Sequence, residues 1–252
     1  MAQYRSYIIC TSPRSGSTLL CKLLQSTRIA GVPDSHFHQP SVSSWLEDHG
    51  LSADQYDGEH DMLVAVLDAA IAYGSGNTGI FGLRLQQHSF DFLLEKLGLL
   101  FPNSVSDAGR LQAAFGQILF IHLTRADKLE QAVSRLKAEQ SGLWHKTADG
   151  KDLERLSAPR ELAYDAPKIA QHVAEMTQAD KDWEDWFARE ALTPMRISYD
   201  DLSRNPSRIL SDILEELGLD KSVSDGITPA TAKLSDDISR SWVERFRAES
   251  SM

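Results

Sequence analysis

Six consecutive residues near the start of the chain, Pro13-Arg14-Ser15-Gly16-Ser17-Thr18, concentrate groups that bind anions. Arg14 brings a permanent charge on a rigid fork of donors, and Ser15, Ser17 and Thr18 bring hydroxyls. Gly16 lets the backbone approach a ligand with no Cβ in the way. Before the loop lies an apolar, strand-like run, Tyr7-Ile8-Ile9-Cys10; after it Leu19, Leu20, Leu23 and Leu24 recur at helical spacing. A loop that leaves a strand and enters a helix aims several backbone N–H groups, and the positive end of the helix dipole, at one point where a phosphate or sulfate would sit. A bare Ser/Gly turn would read as an ordinary helix entry. An Arg beside the Gly, among so many hydroxyls, reads as an anion cradle.

The cradle is not the nucleoside-triphosphate loop, because G-x-x-x-x-G-K-[ST] requires an upstream Gly and a Gly-Lys pair that are missing here. It is not a phosphatase loop either: Cys10 sits at a strand end. Three further stretches hold candidate groups. Residues 117–124, QILFIHLT, form the clearest buried strand and deliver Arg125 into a turn; Asp127 and Glu130 make a capping-box pattern, and the helix that follows carries Ser134. Arg125 and Ser134 are a second candidate anion site, weak when taken alone. Residues 79–85 read as a buried strand with Arg84 near its carboxyl end, where open α/β sheets put their ligands; a structural, salt-bridged Arg fits equally well. Residues 27–40 cannot continue the first helix because of Gly31, Pro33 and Pro40, so they turn back over the mouth of the site with Asp34, His36 and His38, three candidates for a general base. The His-x-His spacing alone does not make a metal site.

These motifs resemble the sulfotransferases that use 3′-phosphoadenosine 5′-phosphosulfate (PAPS), whose strand, P-[KR]-S-G-[ST]-T loop and helix bind the 5′-phosphosulfate. Within that superfamily the chain is most similar, through nearly all of its length, to the bacterial group typified by trehalose 2-sulfotransferase. The resemblance implies that Arg14, Ser15, Gly16, Ser17 and Thr18 hold the phosphosulfate, with Arg14 also catalytic, and that Arg125 and Ser134 hold the 3′-phosphate. It implies no metal, and an acceptor hydroxyl on a small, carbohydrate-like or glycolipid-like molecule. The group's catalytic Glu is missing: the aligned position is Ser35, which cannot act as a base. His36 is then the expected base, since an imidazole with a pKa of about 6.5 accepts a proton at neutral pH. Asp34, His38 and Arg84 are expected to bind the acceptor.

The elements that must position these groups alternate strand and helix. They predict an α/β, P-loop-like, three-layer fold with a mainly parallel central sheet flanked by helices, as one domain over residues 1–252. Residues 41–60 read as an irregular connection, 62–73 and 89–100 as helices, 141–167 as an aperiodic stretch, 169–192 as a long aromatic helix and 195–199 as a last strand. Tyr199-Asp200-Asp201-Leu202, which begins on the last residue of that strand, is also similar to an element of the sulfotransferase family and reads as structural. A formal charge of −10 argues against a nucleic-acid or anionic-membrane surface, so any anion site must be local. Two cysteines, Cys10 and Cys21, fit buried free thiols; with no signal-like or membrane-spanning run, a cytoplasmic protein is expected. The resemblance and the aromatic helix lead to the expectation of a homodimer. The competing readings are a non-catalytic nucleotide-binding or regulatory protein that lost its base, and an atypical P-loop kinase.

Overall fold

The apolar run at residues 7–10 becomes a strand buried on both faces, and the rest of the molecule is arranged about it. The computed structural model describes residues 3–146, 151–158, 160–228 and 236–250. Strand β1 (Ser6–Thr11) pairs in parallel with β2 (Phe81–Gln86) on one side and β3 (Ile118–Thr124) on the other, and β6 (Met195–Ser198) extends the sheet beyond β3. The order β2-β1-β3-β6 makes the chain diverge to opposite sides of β1, the switch point at which α/β sheets open a crevice at their carboxyl ends.

Strand alternation sends Ile8 and Cys10 to one face and Tyr7 and Ile9 to the other, as expected of a strand covered on both sides. The first face packs α2 (Val42–Asp48), α3 (Glu59–Ser75), α4 (Gln87–Leu100), α5 (Asp107–Phe115) and the end of α7 (Ala166–Arg189). The second packs α1 (Ser17–Ser26), α8 (Tyr199–Arg204) and α9 (Pro206–Glu216). A smaller cluster joins α6 (Lys128–Ser141), α7 and α10 (Asp237–Ser250) through Val133, Leu136, Ile169, Trp242 and Val243. This is the three-layer parallel architecture predicted from the sequence.

The differences lie in the connections. Residues 41–60 are not irregular throughout: Ser41 caps α2 by accepting from the Ser44 N–H, and Trp45 and Leu46 anchor the helix in the core. The aperiodic stretch contains an antiparallel pair, β4 (Leu143–Lys146) and β5 (Asp152–Arg155); four-residue strands are too short for their alternation to stand out. Trp183, Trp186 and Phe187 of α7 are fully buried within the chain, against Phe90 and Phe120, so they offer no aromatic face for a second copy. Cys10 and Cys21 are free, buried thiols, and burial pushes Cys21 up to about 11. Among the described residues no helix is long and apolar enough to cross a membrane.

After α1 the chain does return over the site. It runs beside β2, bridging Asp34 to Leu83, with the Arg84 N–H donating to the Asp34 carbonyl at 3.0 Å. Gly31 makes the approach: at φ 75°, a Cβ there would lie 2.4 Å from the Ile80 carbonyl oxygen and 2.6 Å from that of Gly74, both backbone atoms that cannot give way. Gly31→Ala is therefore expected to cost roughly 3 kcal/mol, read as a lowered midpoint with an unchanged slope in urea denaturation.

Candidate active site

The loop at residues 13–18 stands at the carboxyl end of β1. Two of its residues adopt the left-handed backbone region, Arg14 at φ 62° and Gly16 at φ 90°. For Arg14 that conformation costs about 1 kcal/mol, and tethers on three sides offset it. Gln131 of α6 donates to the Ser12 hydroxyl at 3.0 Å and the Pro13 carbonyl at 2.6 Å; the Ser12 hydroxyl donates to Asp180 of α7 at 2.9 Å, and Asp180 also accepts from Lys128. Trp183 donates from its indole nitrogen to the Thr11 carbonyl at 3.2 Å. Gly16 occupies the cap position of α1 with no side-chain cap bond, and no acidic residue stands in the helix's first turn. The positive end of α1 is thereby turned toward a cleft of about 1240 Å³.

All four parallel strands deliver a side chain to that cleft. Arg14 follows β1, Arg84 lies in β2, Arg125 follows β3 and Tyr199 follows β6, and each lines it. Arg14 donates from Nε to the Ser134 hydroxyl at 3.1 Å and from Nη1 to the Trp144 carbonyl of β4 at 2.6 Å, so the two predicted anion sites are in contact. Arg125, only 7% exposed, donates to Glu130 at 2.7 Å and lies with its guanidinium carbon 4.5 Å from the centre of the Tyr199 ring. Arg84 donates to the Thr18 hydroxyl at 2.8 Å and the Ser35 hydroxyl at 2.7 Å, and its other nitrogen lies 3.5 Å from Asp34. It joins the end of the cradle to the returning segment. Gly16, Ser17, Thr18, Asp34, Ser35, His38 and Ser134 line the cleft with these arginines; Ser15 is buried beneath the loop, its hydroxyl against that of Thr11 at 2.5 Å.

His36 is the exception, and the structure corrects its expected role as base. Its neighbours Asp34 and Ser35 are held at the cleft by the bridge to β2, and the ring of His36 points the opposite way, into the core beneath α3. It stacks on Phe81, meets Tyr73 edge-on, and its Nε2 occupies the space above Gly74 left by the missing side chain. The ring is 5% exposed and Nε2 has no hydrogen-bond partner among the described residues. Burial drives its pKa down to about 4; the nearby Asp34 opposes the shift, and His49 adds to it. His38, two residues on, is the imidazole at the cleft, edge-to-face with His88 at 4.8 Å, and its carbonyl accepts from His88 Nε2 at 2.8 Å. Partial desolvation, then His88 and Arg84, hold His38 below the ordinary histidine value.

Sequence reasoning did not single out Gln131, Lys128 and Asp180 as the tethers, Trp144 and Tyr199 as walls, or Gln39, Gln86 and His88 beside His38. Only Tyr199 carried a signal, as the first residue after the last strand. No group of three or more His, Cys, Asp or Glu side chains that could hold a metal ion occurs among the described residues.

A parallel sheet whose first loop carries Arg14 into a helix N-terminus, with the buried Arg125 at the neighbouring strand end, gathers cations on one cleft of an α/β fold. The chain belongs to the Stf0 sulphotransferase family, whose sequence profile matches residues 6–249. It is 29% identical to the trehalose 2-sulfotransferase of Mycobacterium tuberculosis over 97% of this chain and 95% of that one. Identity to the trehalose 2-sulfotransferase of Mycolicibacterium smegmatis is 30%, again over 97% and 95%. Among solved structures, a sulfotransferase from Alicyclobacillus acidocaldarius aligns over 99% of this chain and 93% of that one, at 18% identity and a TM-score of 0.45.

The buried state of His36 carries a stability prediction. Its pKa is depressed by folding, from about 6.5 to about 4, so its contribution is complete above pH 6.5 and is lost as the pH falls toward 4, about 3 kcal/mol in all. His36→Phe, which keeps the stack on Phe81, should flatten stability against pH over that window. Denaturant midpoints at pH 4.5 and 7.5 check this; an unchanged pH slope would count against the buried neutral imidazole.

Proposed function

We propose that this sulfotransferase moves a sulfuryl group from PAPS to a hydroxyl of a small, carbohydrate-like acceptor. The observation that carries the reading is the opening of two cationic anion sites, the Arg14 cradle and Arg125 with Ser134, into one cleft whose other wall is polar. The cradle N–H groups and Arg14 would hold the 5′-phosphosulfate; Arg125 and Ser134 would hold the 3′-phosphate that distinguishes this donor from ATP. Both mycobacterial relatives are trehalose 2-sulfotransferases, which makes trehalose the first acceptor to try. Asp34, Gln39 and Gln86 give the acceptor side donors and acceptors suited to sugar hydroxyls.

His38 is the base in this reading. As the acceptor oxygen bonds to sulfur, His38 takes its proton, the bond from sulfur to the phosphate oxygen breaks, and adenosine 3′,5′-bisphosphate leaves with that electron pair. Charge gathers on the leaving oxygen and on the transferring group, where Arg14 and the end of α1 stabilise it, as in phosphoryl transfer by fixed cations. The chemistry needs no metal in this scheme. Arg84 keeps the two halves in register through Thr18 and Ser35.

Two measurements test the reading. Adenosine 3′,5′-bisphosphate should raise the melting temperature without Mg²⁺, and by more than ADP or ATP with or without it; a preference for ATP with Mg²⁺ would favour a kinase, and no response to any nucleotide would remove the donor. His38→Ala should lower kcat about a hundredfold or more with little change in bisphosphate binding. In the wild type the rate should be high where His38 is neutral and fall as the pH drops through its pKa, which lies below about 6.5; that acid limb should be absent from His38→Ala. A full rate in that variant would return the question to Asp34, or to a chain that binds without turning over.

A further inference from the structure

Tyr199 follows the last strand of the sheet and was read in the sequence as structural, yet its ring touches both anion sites. On one side lies Gly16: a Cβ built there would stand 2.6 Å from Tyr199 Cδ2 and 3.1 Å from Cε2, so the ring fills the space that the missing side chain leaves. On the other lies Arg125, its guanidinium carbon 4.5 Å from the ring centre. The ring itself is fixed from behind. Tyr199 opens α8, Ser198 caps that helix by accepting from the Asp201 N–H at 3.0 Å, and Leu202 of the same helix is fully buried and packs toward Gly16. One rigid aromatic plate therefore stands between the turn of the phosphosulfate cradle and the cation proposed for the 3′-phosphate.

We propose that Tyr199 is a positioning residue that sets the separation of the two anion sites, so that the protein recognises the 3′- and 5′-groups of its donor as a pair. The claim rests on the two-anion reading of the cleft. Its physical content is coupling. Arg125 is buried, and among the described residues its ion pair with Glu130 holds it from one direction. The π face of Tyr199 supplies the second constraint, attracting the guanidinium and limiting its approach to the cradle. A guanidinium held at a set distance from the cradle lets a ligand with both anions bind more tightly than either anion alone would suggest, because the second contact needs no further ordering of the protein. The short motif explains itself in these terms: a flat ring fits over a glycine and under an arginine, where an aliphatic side chain of equal volume would offer no face to the cation.

The test compares affinities for adenosine 3′,5′-bisphosphate and for 5′-AMP by calorimetry, with 3′-AMP as a control, on wild type, Tyr199→Phe, Tyr199→Leu and Tyr199→Met. The readout is the ratio of the bisphosphate affinity to the 5′-AMP affinity in each protein. Loss of a cation–π contact of about 1.4 kcal/mol corresponds to about a tenfold change, so Tyr199→Leu and Tyr199→Met should each lower the ratio about tenfold, and Tyr199→Phe should keep it. Met retains apolar volume against Gly16 and Leu202, which protects the measurement against a Leu variant that does not fold. A purely structural role would lower the melting temperature in proportion to lost packing and leave the ratio unchanged; that result overturns the proposal. So does a Phe variant that loses the ratio as fully as Leu, because the hydroxyl would then be responsible. Failure of the underlying reading looks different: the wild type itself would show no preference for the bisphosphate over 5′-AMP.

Discussion

The cradle backbone is held open by bonds to its own carbonyls and hydroxyls, and the site depends on that. An anion loop must keep its N–H groups for a ligand, which leaves the loop's acceptors and its strained dihedrals to be stabilised by something else. Here the Thr11 and Pro13 carbonyls and the Ser12 hydroxyl are tied to Trp183, Gln131 and Asp180, on helices that follow more than a hundred residues later. Lys128 bonds both Asp180 and the Arg125 carbonyl, the latter at 2.7 Å, so one lysine links the tether of the first anion site to the backbone of the second. Local sequence builds a loop with the right groups; the packing of α6 and α7 holds it in place. The buried aromatic cluster of Phe90, Trp183, Trp186 and Phe187 belongs to the site in this sense, because it fixes the helix that carries Asp180.

The acceptor side is supported differently. The returning segment is short of regular structure and relies on Gly31, on the bridge from Asp34 to Leu83, and on Arg84. Arg84 bonds a hydroxyl from the cradle and a hydroxyl from this segment, so the group that would receive sulfate and the loop that would present it share one guanidinium. Serine at position 35 suits this arrangement: its hydroxyl accepts from Arg84 Nε. With Ser35 engaged in this way, the proposed reaction takes its proton acceptor from another side chain of the segment, His38, which lines the cleft.

Much of this was legible because it is local. The cradle, the buried strands, the helix after Asp127 and the arginines at strand ends follow from spacing and from the rule that parallel sheets bind at their carboxyl ends. His36 was misread because two-residue alternation on an isolated segment tells which residues share a side, and not which side faces the ligand; the bridge to β2 and the empty space over Gly74 decided that. α2 was missed because Trp45 and Leu46 are too few to show a helical period, and the β4–β5 pair because its strands are four residues long. The tethers were out of reach for another reason. Gln131, Asp180 and Lys128 are ordinary helix-surface residues until the helices are packed, and their partners lie on a loop from which they are far removed in sequence.

On the proposed reading, the charge balance of the cleft lets a chain of formal charge −10 receive a multiply anionic donor. Its cations are held in place by carboxylates: Arg125 by Glu130, Arg84 by Asp34, Arg247 by Asp127 and Lys137 by Asp236. Each pair keeps a guanidinium or ammonium pointed at the cleft while screening it from anions at large. In three of the four pairs the carboxylate is the more exposed partner, Arg247 with Asp127 being the reverse; Glu130 has 49% of its side chain in contact with solvent against 9% for Arg125. Such half-exposed pairs contribute only about 1 kcal/mol or less. A phosphate that reaches a buried guanidinium gains more in charge-assisted hydrogen bonds than the pair loses when the carboxylate swings out to water. A single anion would displace one carboxylate and gain one contact, whereas a ligand with anions at both ends would meet Arg14 and Arg125 together, at the separation that Tyr199 is proposed to set. On that reading, selectivity for the donor would follow from where the cations are held and not from how many there are, so that an acidic surface and an anion site could coexist in one small protein.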